Sequence, residues 1–368
     1  MTVAYVLTEF PSLTETFVSA EVRLLRARGV TVVPFSLRAP RFPGDPTVAA
    51  EVGWRGQGPT HGEGLRALRR FGSGARATAL EFIESQRVAP LEWAFALAVL
   101  PKAAAIAARC RTLGVTHVHT HFERGAAILA ALVGALAERP WSFTAHAFGL
   151  WTSHPEALRE RVRRAAFVRS PHSAATIAIR ALEPAARVLE VVTPLELDRL
   201  PQRRQPDGTL LAIARAVPKK GLDLLPGLVD HLRRRGVAVR PRVIGPGGEP
   251  LPHTETLKAL AGASLFVAPC RVAPNGDRDG LPLALLEAVA IGVPAFATRM
   301  AGIPDLMAPH LSEHLAETED VVQLSDRIAR ALSQPERLRD RVDAAREDAR
   351  RRYGPEVLEP LGAAFAQP

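Results

Sequence analysis

The sequence predicts an α/β protein of two doubly wound, Rossmann-like domains facing across a cleft. Three observations carry this. Short β-branched runs alternate with helical stretches along nearly all of the 368 residues, the pattern of parallel sheets covered by helices on both faces. The alternation breaks at residues 193–208, which hold Pro194, Pro201, Pro206 and Gly208, and then starts again. A chain of this length also exceeds one ordinary hydrophobic core.

The first half opens with a strand at Val3–Thr8, an amphipathic helix at Thr14–Arg28 ended by Gly29, and a β-branched strand at Val30–Leu37. Residues 40–62 are rich in proline and glycine and read as a loop. Helices follow at Glu63–Gln86 and Leu91–Leu113, then strand Val115–Thr120, helix Gly125–Ala137, strand Trp141–His146 and helix Glu156–Arg164. Strand Ala166–Ser170, a helix from Ser173 and strand Val188–Val192 complete this half. The second half repeats the scheme with strands Leu210–Ala214, Val239–Ile244, Leu265–Ala268 and Pro294–Thr298. Its helices fall at Leu222–Arg235, Thr254–Leu260 and Pro282–Ile291 and through 319–352. The expected domains are therefore 1–192 and 209–352, joined by a linker at 193–208. Residues 353–368 hold a short last helix with the first domain as its candidate packing partner.

Composition narrows the class. With 47% hydrophobic and 23% charged residues the chain is globular. Its two cysteines, Cys110 and Cys270, form no C-x-x-C pair and point to a reducing, cytoplasmic compartment. The apolar stretch from Trp93 is bounded by Glu92 and Lys102 and meets Pro101, so a buried helix is expected rather than a membrane span. Residues 1–185 hold 22 Lys+Arg against 14 Asp+Glu, a balance of +8, and the remainder 25 against 24. Two readings of the basic half stay open: contact with anionic membrane lipid or a phosphate-bearing acceptor, and an arginine-rich composition with no partner. Nucleic acid is disfavoured, since aromatics are 5% and no zinc or helix-turn-helix spacing occurs.

The chemistry concentrates in Pro269 to Glu287. A strand ends, a Gly/Pro-rich loop follows, and a helix opens near Pro282, a residue suited to a first helical turn. The free amides and positive dipole end of that turn suit a diphosphate. Asp279 precedes the turn and Glu287 lies within the helix, so two carboxylates are available to polyol hydroxyls. The Asp277-Arg-Asp279 triplet also mimics a metal clamp; the calcium-loop reading fails because Leu286 stands where a bidentate Glu is needed. Arg215 and Lys220 leave the first strand of the second domain at its ligand-binding edge, where two cations could neutralise a departing diphosphate. A solvated basic loop is the plain alternative.

His117, His119 and His121 alternate on one strand face. At about 3.3 Å per residue the outer two stand about 13 Å apart and cannot share one ion. The first two are expected to pack in the sheet and His121 to reach the cleft. Ser12 and Glu15 stand at capping-box spacing.

Six segments in order carry a resemblance to glycosyltransferase family 4, the retaining GT-B enzymes, and to its colanic acid and exopolysaccharide branch. They are Phe10–Phe17, His117–Phe122, Ser142–Ala147, Arg215–Gly221, Asp279–Glu287 and Gly302–Asp305. The resemblance implies a front-face retaining transfer of a hexosyl group from a UDP- or GDP-sugar to a glycan or lipid-linked acceptor, with no cofactor and no obligatory metal. It implies that Arg215 and Lys220 hold the diphosphate and Glu287 the ribose. Asp279, Gly280, Leu281 and Pro282 would hold the donor, and His146 would face the transferred sugar. Thr14, Glu15 and His121 fall on the acceptor side. The chain departs from the family at Asp279, usually Glu; at Phe148-Gly149; at the hinge Pro194-Leu-Glu196; and at Ala214. About twenty residues separate Gly245 from Leu265, too few for the additional β-α unit of relatives. The second sheet is thus expected to be one strand short, which keeps open a catalytically degenerate GT-B homologue acting as a glycan- or partner-binding scaffold.

Overall fold

The computed structural model describes residues 1–12, 15–39, 48 and 60–367. They form two compact units. The first comprises Met1–Pro171, Ala175–Pro194 and Glu356–Pro368, and the second His172–Ala174 and Leu195–Pro355.

The first unit holds a six-stranded parallel sheet: β1 (Thr2–Glu9), β2 (Thr31–Arg38), β3 (His117–His121), β4 (Trp141–Thr144), β5 (Phe167–Ser170) and β6 (Val188–Glu190). The strand order is β2-β1-β3-β4-β5-β6, so the winding reverses beside β1. Ligands of such sheets bind beyond the carboxyl ends of the strands at that reversal. The loops after β1 and β3 are therefore the ones to inspect.

Side-chain alternation along β1 builds two cores. Ala4 and Val6 face one cluster with α5 (Gly125–Ala137), a helix apolar all round and buried almost throughout. Val3, Tyr5 and Leu7 face the other, with Val18, Val22 and Leu25 of α1 (Thr16–Ala27) and Leu361 and Phe365 of the last helix. The C-terminal segment thus completes the first unit's core. The expected helix Glu63–Gln86 is two helices, α2 (His61–Leu68) and α3 (Ser73–Ser85), parted at Gly72. The capping box forms at Thr60 and Glu63 rather than at Ser12 and Glu15, because α1 starts at Thr16, too late for Ser12 to cap it. The next helix, α4 (Pro90–Thr112), runs through Pro101 and matches the expected Leu91–Leu113 to within one residue at each end. It is long and apolar enough to cross a membrane, but Ala96, Val99, Ala103, Ala104, Ile106, Ala107 and Cys110 lie in the core. The rest are α6 (Ala147–Thr152), α7 (Pro155–Arg164) and α8 (Ser173–Leu182). The sequence reading lacked α6: its start is held by the carboxylate of Glu123, which accepts from the His146 N–H, a partner no local pattern reveals.

The second unit has a five-stranded parallel sheet, ordered β11-β10-β9-β7-β8. These strands are β7 (Thr209–Ile213), β8 (Arg240–Ile244), β9 (Leu265–Ala268), β10 (Ala295–Thr298) and β11 (Leu315–Ala316), the last too short for a periodic signal. Its helices are α9 (Leu225–Arg234), α10 (His253–Gly262), α11 (Leu283–Ile291), α12 (Ile303–Leu311), α13 (Val321–Leu332) and α14 (Pro335–Arg352); α15 (Glu359–Phe365) belongs to the first unit. One face packs Leu210, Ala212 and Val267 against Leu228 of α9 and Ile328 of α13. Among the described residues, β8 and β9 are joined by one helix, α10, and no further strand. The winding reverses between β7 and β9, so the loops after those strands flank the ligand position of this sheet.

Candidate active site

In the second unit the two loops at the reversal are held together by backbone and by charge. Gly221 ends the β7 loop at φ +61°, and a Cβ there would collide with the Pro269 carbonyl just beyond β9. Only glycine allows that approach without strain. The Arg271 N–H donates to the Lys219 carbonyl at 3.0 Å, tying the loops again. Lys219 Nζ then reaches Asp277 Oδ1 at 3.1 Å and Asp279 Oδ1 at 3.4 Å, while Lys220 Nζ donates to Asp279 Oδ2.

Asp279 is only 7% exposed. Burial pushes its carboxyl upward, but Lys220 and Lys219 outweigh that and hold it below the usual carboxylate range. The Lys220 ammonium feels the same balance: burial lowers its pKa, and Asp279 more than restores it. Both members therefore stay charged. The Asp277-x-Asp279 pair is occupied by ammonium groups. Cys270, 3.9 Å from Asp279, has its thiol pushed up to about 12 by burial and the neighbouring carboxylate, so it is no nucleophile.

The helix α11 opens one residue later than expected, with Pro282 as its N-cap and Leu283 as its first residue. The Leu285 N–H donates to the Pro282 carbonyl at 3.0 Å, and the helix amides before it have no intrahelical acceptor. Gly280 is buried, its carbonyl accepting from the Gly302 N–H at 3.0 Å, which links the Asp279–Glu287 and Gly302–Asp305 segments. Leu281 is half-buried and Pro282 buried at the mouth of the helix. Arg215 is exposed on the same β7 loop, close enough to Lys220 to oppose its charge. Glu287 is 5% exposed and meets His253 Nε2, at the start of α10, at 2.8 Å. That hydrogen bond, against the cost of burial, raises the His253 pKa.

In the first unit, Glu15 is the N-cap of α1 and its side chain makes no capping hydrogen bond. Thr14 lies outside the described residues. His121, expected on the cleft side, is 1% exposed, its ring held between Glu21 and His146. His121 Nε2 meets Glu21 Oε1 at 3.1 Å, and His121 Nδ1 meets His146 Nε2 at 2.9 Å. His146 is half-buried at the end of β4, its ring 5.0 Å from that of Phe17 and 4.7 Å from that of Phe122. His117 and His119 are packed in the sheet as expected, bonded to Ser142 Oγ at 2.7 and 2.8 Å.

Glu21, His119 and His121 place potential ligand atoms within 4.8 Å of one another. Hydrogen bonds already fill this cluster. His119 spends Nε2 on Thr144 Oγ1 at 3.0 Å, and Glu21 accepts from the Arg169 guanidinium and from Tyr5 Oη at 2.7 Å. A cation beside the carboxylate opposes a second one.

Lys219, His253, Glu21 and Arg169 were absent from the sequence reading. Two left signals: Glu21 interrupts the buried stripe Val18, Val22, Leu25, and Arg169 sits inside a fully buried parallel strand. Lys219 and His253 left none, since their partners lie 58 and 34 residues away.

Comparison with known proteins agrees with this geometry. Residues 250–348, which include Asp279 and Glu287, match the family described as glycosyl transferases group 1. The amylovoran biosynthesis glycosyltransferase AmsK of Erwinia amylovora is 30% identical over 148 residues, 34% of this chain and 36% of that protein. The chain spans less than half the length of the curated relatives it matches. Over whole chains, the sucrose-phosphate synthase of Thermosynechococcus elongatus superposes with a TM-score of 0.70 at 15% identity, covering 99% of this chain and 98% of that one. Anabaena HepE in complex with UDP-glucose gives 0.67 at 13%, with the same coverage. The expected resemblance and fold are borne out: residues 250–348 are a glycosyl transferases group 1 segment, in a chain with the two-sheet α/β architecture of the GT-B glycosyltransferases.

Proposed function

We propose that the protein is a glycosyltransferase that moves a hexosyl group from a UDP- or GDP-sugar to a glycan or lipid-linked acceptor in exopolysaccharide or cell-envelope glycan synthesis. The observation that carries this is the cluster of Lys219, Lys220, Asp277 and Asp279, just before α11, with exposed Arg215 on the same loop as the lysines. Positive groups and helix amides together suit a diphosphate. AmsK, a relative by sequence, supports the acceptor class, and HepE with its UDP-glucose supports the donor class.

In this reading Arg215, Lys220 and the first-turn amides of α11 take the diphosphate, and Glu287, oriented by His253, takes the ribose. Asp279 with the Gly280, Leu281 and Pro282 segment takes the donor sugar, while His146 serves the transferred sugar. The bond from the anomeric carbon to the phosphate oxygen breaks as the acceptor oxygen attacks from the same face. The released phosphate oxygen accepts the acceptor's proton, which gives retention. In this reading no metal is required, because Arg215, Lys220 and the α11 amides meet the charge of the diphosphate. The basic first half, together with exposed Leu65 and Leu91 at 53% and 83%, supports contact with anionic lipid on the inner face of the cytoplasmic membrane.

A labelled-transfer assay of the full chain across UDP- and GDP-sugars tests the reading, with product anomers read by NMR. Turnover with the starting anomeric configuration, unchanged by chelator, is expected. Arg215→Ala should weaken UDP or GDP binding about tenfold, the loss of one charge-assisted contact. The absence of both turnover and a nucleotide-induced thermal shift would sink the proposal. That outcome would favour the scaffold reading, whose motive is the single helix joining β8 to β9.

A further inference from the structure

We infer that Glu21 and His121 are positioning residues that fix the proton of His146 on its Nε2 atom. The chain of contacts runs inward from the sheet edge: His146 Nε2 to His121 Nδ1 at 2.9 Å, His121 Nε2 to Glu21 Oε1 at 3.1 Å, and Glu21 Oε2 to the Arg169 guanidinium. Three elements converge there, α1 with Glu21, β3 with His121, and the turn after β4 with His146. Glu21, His121 and Arg169 are each 0–1% exposed, so no solvent competes for these bonds.

The direction of each bond follows from donor chemistry. Glu21 is ionised: burial pushes its pKa up, but the Arg169 guanidinium outweighs it and holds the carboxyl well below the usual range. A carboxylate only accepts, so His121 Nε2 carries a hydrogen. Neutral His121 then presents a bare Nδ1, and the hydrogen in the His121–His146 bond belongs to His146 Nε2. Neutral His146 is thereby left with an unprotonated Nδ1. A proton that enters the pair is stabilised by the Glu21 carboxylate one ring away, and it reaches that carboxylate's neighbour by crossing a single hydrogen bond. The rings are stacked, 5.2 Å apart at 27°, and Phe17 and Phe122 flank His146, so neither ring is free to flip without breaking the chain.

Among the described residues, the other charged and titratable groups facing the pair include Tyr5 on β1, His119 on β3, Arg169 on β5 and Glu123 after β3. Tyr5 stays protonated, since burial and Glu21 raise its pKa well above the usual value. His119 stays neutral, since burial and His121 lower its pKa well below the usual value. Glu21 and Arg169 therefore supply the permanent charges next to His121.

The kinetic consequence rests on the transferase reading; the tautomer does not. The test is long-range 1H–15N correlation on 15N-histidine-labelled full chain, assigned with a His146→Gln control and followed over pH, for wild type, Glu21→Gln and His121→Asn. Wild type should show His146 as one neutral tautomer, protonated at Nε2. In Glu21→Gln the side-chain amide can donate as well as accept, so the His121 hydrogen is no longer fixed on Nε2 and His146 should show mixed tautomers. His121→Asn, which keeps a polar group and the Arg169–Glu21 pair, should give mixed tautomers at His146. In kinetics both variants should lower kcat about tenfold, shift the pH profile of kcat, and leave the KM for the nucleotide sugar within twofold. An unchanged His146 spectrum in both variants would overturn the inference. A wild-type protein with the expected spectrum but no transfer activity would overturn the transferase reading alone.

Discussion

Replacing Asp279 by Asn separates stability from ligand affinity at the lysine cluster. The substitution keeps the shape of the side chain and removes the charge that two ammonium groups share. Lys219 retains Asp277 at 3.1 Å, but Lys220 loses its ion-pair partner. At an effective dielectric of about 20, a pair 3.4 Å apart, the Lys219–Asp279 separation, attracts by about 5 kcal/mol. Much of that is offset by desolvation in the native state, and breaking such a pair costs about 3–5 kcal/mol in the buried limit. The Lys220 and Asp279 side chains are 16% and 10% exposed, so water recovers part of the loss and the lower end, about 3 kcal/mol, is expected. For a unit of this size that is about 6–12 °C in the melting of the second unit.

The penalty also has a defined pH course. The folded-state pKa of Asp279 is lowered, so its contribution is fully present above the ordinary carboxylate value of about 3.9 and is lost as pH falls through the lower folded value. Wild type and Asp279→Asn should differ at pH 7 and converge only as pH falls through the lowered folded value, below the ordinary carboxylate value of about 3.9. Meanwhile the freed Lys220 should bind UDP or GDP at least as tightly as before, while transfer from the intact nucleotide sugar is lost. Thermal melting across pH and calorimetric titration with the diphosphate check both halves. A variant that melts within 1 °C of wild type, on the order of 0.3 kcal/mol, would refute the claim that this ion pair stabilises the loop junction. One that loses the diphosphate would refute the division of labour between the carboxylate and the cations.

Two further outcomes follow from single contacts. Glu287→Gln removes the acceptor that raises the His253 pKa; the stability it confers is present below the ordinary histidine value of about 6.5 and lost as pH rises through the raised value. The melting difference between wild type and Glu287→Gln should therefore be largest near pH 6 and shrink above it, and a difference that grows with pH would contradict the assignment. Gly221→Ala places a Cβ against the Pro269 carbonyl at a left-handed φ, and should cost about 1–3 kcal/mol, read as a lower urea midpoint at unchanged m-value.

Much of this architecture was legible in the residues alone. Alternation of β-branched runs with amphipathic stretches is set by local backbone geometry, so it marks strands such as Leu265–Ala268 and helices such as Gly125–Ala137 without knowledge of their neighbours. The loop before α11 and the cations after β7 were equally visible, because glycine, proline and charge clusters punctuate the chain where ligands bind. What failed locally was short or borrowed from afar: β11 is two residues long, and α6 is started by a carboxylate 23 residues upstream.

The sequence by itself determined the two wound sheets, their shared boundary region and the list of groups able to meet a diphosphate and a sugar. Only the tertiary structure decided which of those groups act together. It joined Lys219 and Lys220 to Asp277 and Asp279, gave Glu287 a histidine, and buried His121 where it links Glu21 with His146. The reason is physical: a buried charge must find a partner of opposite sign wherever the fold brings one, and Glu21 finds Arg169 across 148 residues of chain. Helical and strand periods extend over a few residues and carry no information about such pairs.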